Sequence, residues 1–200
     1  MALAPAYAAH RLVAGSAHTF EVYLDYTCPF SARLWRTLRG ELQPVFAAQG
    51  VAVVFRHQVQ PWHPASTLLH EASLAVERLC PQNFGLFSDA LFAHQAEFFD
   101  EATTDLSRTE IYRHLADLAA SVNAVDDKLA LLQLLDIQSA AAPTNAGNAV
   151  TADLKYHIKI ARAQAIHVSP TVVFDGIRDD SVSSSWTLAQ WQAWLEARLA

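Results

Sequence analysis

The run Tyr23-Leu24-Asp25-Tyr26-Thr27-Cys28-Pro29-Phe30-Ser31 constrains the fold of this chain more than any other segment. An alternating, β-rich stretch from His18 to Tyr26 stops there, and a helical pattern begins directly after the cysteine. In that strand Phe20, Val22 and Leu24 share one face, with Glu21, Tyr23 and Asp25 on the other; Asp25, at the strand end, is expected at the surface. With Cys28 as N-cap, Pro29 takes the first helical position, where a missing N–H is harmless. The amides of Phe30 and Ser31 then face the Cys28 sulfur, and the positive end of the helix dipole adds to their effect. Such a site favours thiolate over thiol and lowers a cysteine pKa from about 8.5 to roughly 3.5–7.5. The bland alternative is a structural cysteine buried beside a helix start. The proline directly after Cys28 argues for the capping thiol instead.

The pattern continues as a helix over 29–42, with Phe30, Leu34, Leu38 and Leu42 as its buried stripe and Arg33, Arg36 and Arg39 on a solvated flank. Gly40 and Pro44 predict a kink or restart. A second strand, 51–59, opens with the near-continuous apolar run Val51-Ala52-Val53-Val54-Phe55 of a strand covered on both faces. Strand, helix, strand makes a βαβ unit, broken by Pro61-Trp62-His63-Pro64. From Ser66 to His167 only helical patterns occur, among them a capping box at Ser107–Glu110 and a long helix marked by Val150, Leu154, Ile158, Ala161 and Ala165 after the turn Pro143-Thr144-Asn145-Ala146-Gly147. Strand pattern returns at Thr171-Val172-Val173-Phe174, with Asp175-Gly176 as a hairpin turn into a poor strand over 177–183. A capping box at Thr187–Gln190 opens a closing helix built on Leu188, Trp191, Leu195 and Leu199.

Two hundred residues, 52% of them hydrophobic, suit an α/β domain with an inserted all-helical subdomain: residues 1–62, the insertion 63–165, and the return 166–200. A net charge of −6 with scattered Lys and Arg gives no support for nucleic-acid or anionic-membrane binding, and no run approaches the roughly 20 apolar residues of a membrane helix. The N-terminus is Ala-rich but lacks a basic start, and two cysteines make no disulfide framework, so a cytoplasmic setting is expected. Nine histidines occur without HExxH or paired CxxC spacing, so no metal site is expected; nor is there a GxGxxG, a P-loop or a Gly-flanked serine.

With Cys28-Pro29-Phe30-Ser31 at the first helix and Val168-Ser169-Pro170-Thr171 before the third strand, the order of elements resembles the DsbA-like branch of the thioredoxin superfamily, a thioredoxin fold with a helical insertion. The resemblance covers residues 18–60 and 165–200; the middle matches only as an insertion of suitable length. It implies that Pro170 is cis and lies against Cys28, and that the backbone of Ser169 offers a sheet edge to an extended peptide or a glutathione-like tripeptide. The chain departs from the family at Ser31, which stands where a resolving cysteine would be, and at Val22, where the family often has a buried acid. Ser31 cannot resolve a mixed disulfide, but its hydroxyl can donate to the Cys28 thiolate. The resemblance implies a thiol–disulfide oxidoreductase, related to protein-disulfide isomerases, acting on thiol or disulfide partners through Cys28 and Ser31, with no cofactor beyond glutathione as a co-substrate. Pro29, Phe30, Ser169, Pro170, Trp62 and His63 would shape the substrate surface. Cys80 reads as an ordinary half-buried thiol that could resolve Cys28 only if the fold brings them together. Two rivals remain: an enzyme like the kappa-type glutathione transferases and hydroxychromene-carboxylate isomerases, which usually have serine near the Cys28 position, and a non-catalytic thioredoxin-like module that traps partners. Oligomeric state is left open.

Overall fold

The computed structural model describes residues 3–137, 142 and 144–200. Strands β1 (Arg11–Val13), β2 (His18–Leu24), β3 (Val51–His57), β4 (Thr171–Phe174) and β5 (Ile177–Asp179) form one sheet in the order β1-β3-β2-β4-β5. β2 and β3 pair in parallel, Phe20 opposite Val53 and Leu24 opposite His57; the other pairs are antiparallel. The parallel pair is the βαβ unit read from the sequence, and the antiparallel return through β4 and β5 completes a mixed α/β thioredoxin fold. Asp175 and Gly176, at φ 49° and 83°, make the hairpin turn their sequence called for. The edge strand β1 had no counterpart in the pattern; three residues are too short for a period to show.

Helix α1 (Pro29–Thr37) follows β2, and its continuation is not one helix. Residues Leu38–Leu42 widen into a π turn before α2 (Gln43–Ala48), because Pro44 has no N–H to give the carbonyl of Gly40. Between β3 and β4 the chain is helical: α3 (Ser66–Leu79), α4 (Phe84–Ala93), the short α5 (Asp100–Thr103), α6 (Arg108–Ser121), α7 (Lys128–Leu135) and α8 (Thr151–Ala163). α9 (Leu188–Leu199) closes the chain. Both expected capping boxes form, Ser107 with Glu110 and Thr187 with Gln190. Pro143, the first residue of the expected turn before α8, lies outside the described residues. No described helix is long and apolar enough to cross a membrane.

Both faces of the sheet are covered, as the apolar run of β3 required. Phe20, Val22 and Leu24 enter the main core, where Phe20 meets Phe46, Trp191 and Trp194. Tyr23 and Val173 pack on the opposite face against Ala161 and Ile166. Burial of that second face is why Glu21 pairs with Arg56 inside the protein, at 2.9 Å. The strands end earlier than their patterns suggested, β2 at Leu24, β3 at His57 and β5 at Asp179. The residues released at the ends of β2 and β3 build the site.

Candidate active site

Cys28 is the N-cap of α1 in extended geometry, with Pro29 at the first helical position and Ala32 N–H closing the first turn on the Cys28 carbonyl at 3.0 Å. The Ser169–Pro170 peptide bond is cis. The Cys28 sulfur donates to the Ser169 carbonyl at 3.5 Å, so residues far apart in sequence meet at the thiol as the resemblance implied. Cys28 itself is 4% exposed.

Two details differ from expectation. The sulfur makes no capping bond with the first-turn amides of α1. A protonated thiol is a weak acceptor but can donate, and the Ser169 carbonyl takes its hydrogen. Ser31 is fully buried, and its hydroxyl oxygen accepts the Asp25 N–H at 3.3 Å, anchoring the strand end rather than meeting the sulfur.

Asp25 is a further correction. It is fully buried, because the loop leaving β3 folds over it. One carboxylate oxygen accepts from both the N–H and the hydroxyl of Thr27 at 2.8 Å. The other accepts the Gln60 N–H at 2.9 Å and lies 3.1 Å from His63 Nδ1. The family's buried acid is thus missing at Val22, but a carboxylate three residues before Cys28 organises the loop instead. Its sequence signal was Asp-X-Thr, the spacing of an Asx turn. Behind Asp25, His70 Nε2 lies 3.9 Å from Oδ1; burial pushes the His70 imidazole down to about 4, although Asp25 opposes that, and leaves it neutral.

Two glutamines fasten the loops. Gln60 Nε2 donates to Ser169 Oγ at 3.0 Å; Gln95 Nε2 donates to the Tyr26 carbonyl at 2.8 Å and the Cys28 carbonyl at 3.3 Å. Neither was visible beforehand, since lone glutamines carry no pattern. A groove of about 270 Å³ runs beside the thiol loop, lined by Thr27, Pro29, His63, Phe98 and Phe99. Phe30 and Trp62, 55% and 56% exposed, stand at the second position of α1 and in the turn after β3. Of the residues expected at the substrate surface, Ser169 meets the Cys28 sulfur, Pro170 follows it through the cis bond, and Pro29 and His63 line the adjoining groove. A larger cavity, about 510 Å³ between α6 and α7, has no thiol among its lining residues. Cys80 is buried at the end of α3; both cysteines are free and not within disulfide distance of each other.

A thiol at the start of the first helix, in contact with a cis-proline loop, is the thioredoxin-type arrangement that the resemblance implied. No protein-family model and no curated protein matches the chain. Solved structures do. A Pseudomonas syringae protein provisionally named a protein-disulfide isomerase is 26% identical, with a TM-score of 0.75 over 94% of this chain and 98% of its own. BdbD of Bacillus subtilis is 19% identical, with a TM-score of 0.64 over 94% of this chain and 90% of its own. The thiol-disulfide exchange protein α-DsbA2 of Wolbachia pipientis is 14% identical, with a TM-score of 0.59 over 94% of this chain and 86% of its own. The chain has the DsbA-like thioredoxin fold of these structures.

Proposed function

We propose that this protein is a thiol–disulfide oxidoreductase that works through one nucleophile, Cys28. The observation that carries the reading is the placement of the Cys28 sulfur between the start of α1 and the carbonyl before cis Pro170. On ionisation the sulfur loses the hydrogen it gives Ser169, and the carbonyl oxygen then repels it. The first-turn amides of α1, which have no intrahelical acceptors, become its partners.

The chemistry is disulfide exchange. The Cys28 thiolate attacks one sulfur of a substrate disulfide, a Cys28–substrate disulfide forms, and the other substrate sulfur leaves as thiolate. With Ser31 where a second thiol would stand and Cys80 out of reach, resolution falls to an external thiol of the glutathione class. That thiol attacks the substrate-side sulfur and releases the Cys28 thiolate; two external thiols supply the two electrons of a net reduction. A substrate peptide would lie in the groove beside Pro29 and His63 and pair with the backbone at Ser169.

The test is turnover of a small protein disulfide with glutathione as reductant. Wild type is expected to turn over and Cys28→Ala to be inactive, while Ser31→Cys is expected to gain glutathione-independent resolution. Turnover that persists in Cys28→Ala rejects the reading. The same Ser31 substitution for cysteine favours a second reading, a module that holds partners as long-lived mixed disulfides. Covalent adducts that glutathione does not release would support it.

A further inference from the structure

Behind the thiol loop the fold assembles histidines that no spacing along the chain groups. His10 ends the 3₁₀ turn Pro5–His10, His57 ends β3, and His157 lies on α8. All three are buried, and one nitrogen of each lies within 4.8 Å of the others. His10 Nδ1, His57 Nε2 and both nitrogens of His157 have no hydrogen-bond partner among the described residues. Unpartnered imidazole nitrogens so concentrated in a protein interior are costly unless something binds them.

Two of the three rings are held through their second nitrogen, His10 by a carboxylate and His57 by another imidazole, while His157 is not. His10 Nε2 meets Glu77 Oε2 at 2.9 Å, which leaves Nδ1 as the nitrogen that faces the other two rings. His57 Nδ1 meets His70 Nδ1 at 2.6 Å. With the proton of that pair on His57 Nδ1, the lone pair of His57 Nε2 is bare. Arg56, the nearby cation, is neutralised by Glu21 at 2.9 Å.

We propose that His10, His57 and His157 form a binding site for a divalent transition-metal cation of the zinc class, with Glu77 and the His70–Asp25 pair orienting the ligands. Neutral imidazoles suit such borderline cations, and no hard-cation oxygen cage is present among these ligands. Zinc–imidazole bonds of about 2.0–2.1 Å in a tetrahedral shell put nitrogens roughly 3.3 Å apart, so these need close by at most about 1.5 Å. Bound there, the cation ties the N-terminal turn, the sheet and the helical insertion together. Through His70 and Asp25 it also braces the loop that carries Cys28.

The experiment is zinc binding by the chelator-stripped full chain, in wild type and in Cys28→Ser/Cys80→Ser, which removes both thiols. One equivalent of retained zinc and a raised melting temperature are expected in both. His157→Phe and His10→Phe, which keep an aromatic ring, are each expected to weaken binding by at least about 100-fold. His114→Ala, at an exposed histidine, should leave it unchanged. No retained zinc, equal affinity in the phenylalanine variants, or binding lost with the cysteines would overturn the site. Should both phenylalanine variants fail to fold, cobalt added to the thiol-free protein decides. Visible bands of a low-coordinate cobalt–nitrogen centre support the proposal, and their absence rejects it.

Discussion

Gln60 Nε2 donates to Ser169 Oγ at 3.0 Å, so the turn leaving β3 holds the peptide against which the Cys28 thiol rests. The backbone N–H of Gln60 is bound to Asp25, so one residue ties both loops of the site together.

Gln60→Ala should therefore act on alignment more than on stability. One hydrogen bond is lost, about 1 kcal/mol in denaturant unfolding. The Asp25 link survives because it is a backbone bond. Mixed-disulfide formation with a peptide substrate is expected to slow severalfold, while alkylation by a small reagent, which needs no sheet edge, changes little. Equal slowing of both reactions would place Gln60 outside the docking edge.

Asp25→Ala should be far more damaging. It strips acceptors from the Thr27 and Gln60 amides and the Thr27 hydroxyl in a buried site. Each orphaned donor costs about 1–3 kcal/mol, so a loss of roughly 3–5 kcal/mol is expected by urea unfolding. His63→Gln, by contrast, removes only a partly exposed partner of Asp25. Its effect should fall on KM for a peptide disulfide rather than on the unfolding midpoint, because His63 lines the groove.

A pH effect is expected at the edge strand β5, from Asp179. Partial burial would raise its carboxyl, but Ser181, Arg198 and Trp194 hold it well below the usual carboxylate range. A carboxyl depressed in the folded state contributes stability that is fully present above its unfolded value, about 3.9, and is lost as pH falls toward the folded one. Thermal unfolding should thus lose stability progressively below about pH 4. Asp179→Asn should lower the neutral-pH melting temperature and flatten that acid slope. An unchanged slope would mean that the Trp194 and Arg198 contacts contribute nothing in solution.

Much of this was legible from local pattern. The βαβ unit, the place of Cys28 at the N-cap position and both capping boxes follow from spacing and from residues whose backbone preferences are strong, whereas the cis Pro170 loop followed only from the family resemblance. What stayed hidden depends on tertiary closure. Asp25 read as a surface residue because a strand end normally meets water, and only the loop after β3, folding back, buries it. Ser31 read as a partner for sulfur because helix geometry puts it near Cys28, yet a buried backbone amide at Asp25 had the stronger need for an acceptor. His10, His57 and His157 are spread over most of the chain, and no spacing rule can gather residues from a turn, a strand and a helix.

Phe30 and Trp62 give the sharpest separation of binding from chemistry. Each leaves more than half its surface in water, open to a partner that would cover it. Phe30 follows the nucleophile by two residues, and Trp62 adjoins His63 in the groove wall, the two rings 6.1 Å apart. If a substrate peptide covers them, each ring contributes part of the about 1.5–3 kcal/mol available from full burial, roughly 1 kcal/mol, or about fivefold in affinity. The double variant Phe30→Ala/Trp62→Ala is therefore expected to raise KM for a protein disulfide by more than tenfold. Its kcat and its rate with a small disulfide should stay near wild type, since neither ring touches the sulfur that Ser169 and α1 position. A fall in kcat with unchanged KM would mean that the rings support the thiol loop rather than the substrate.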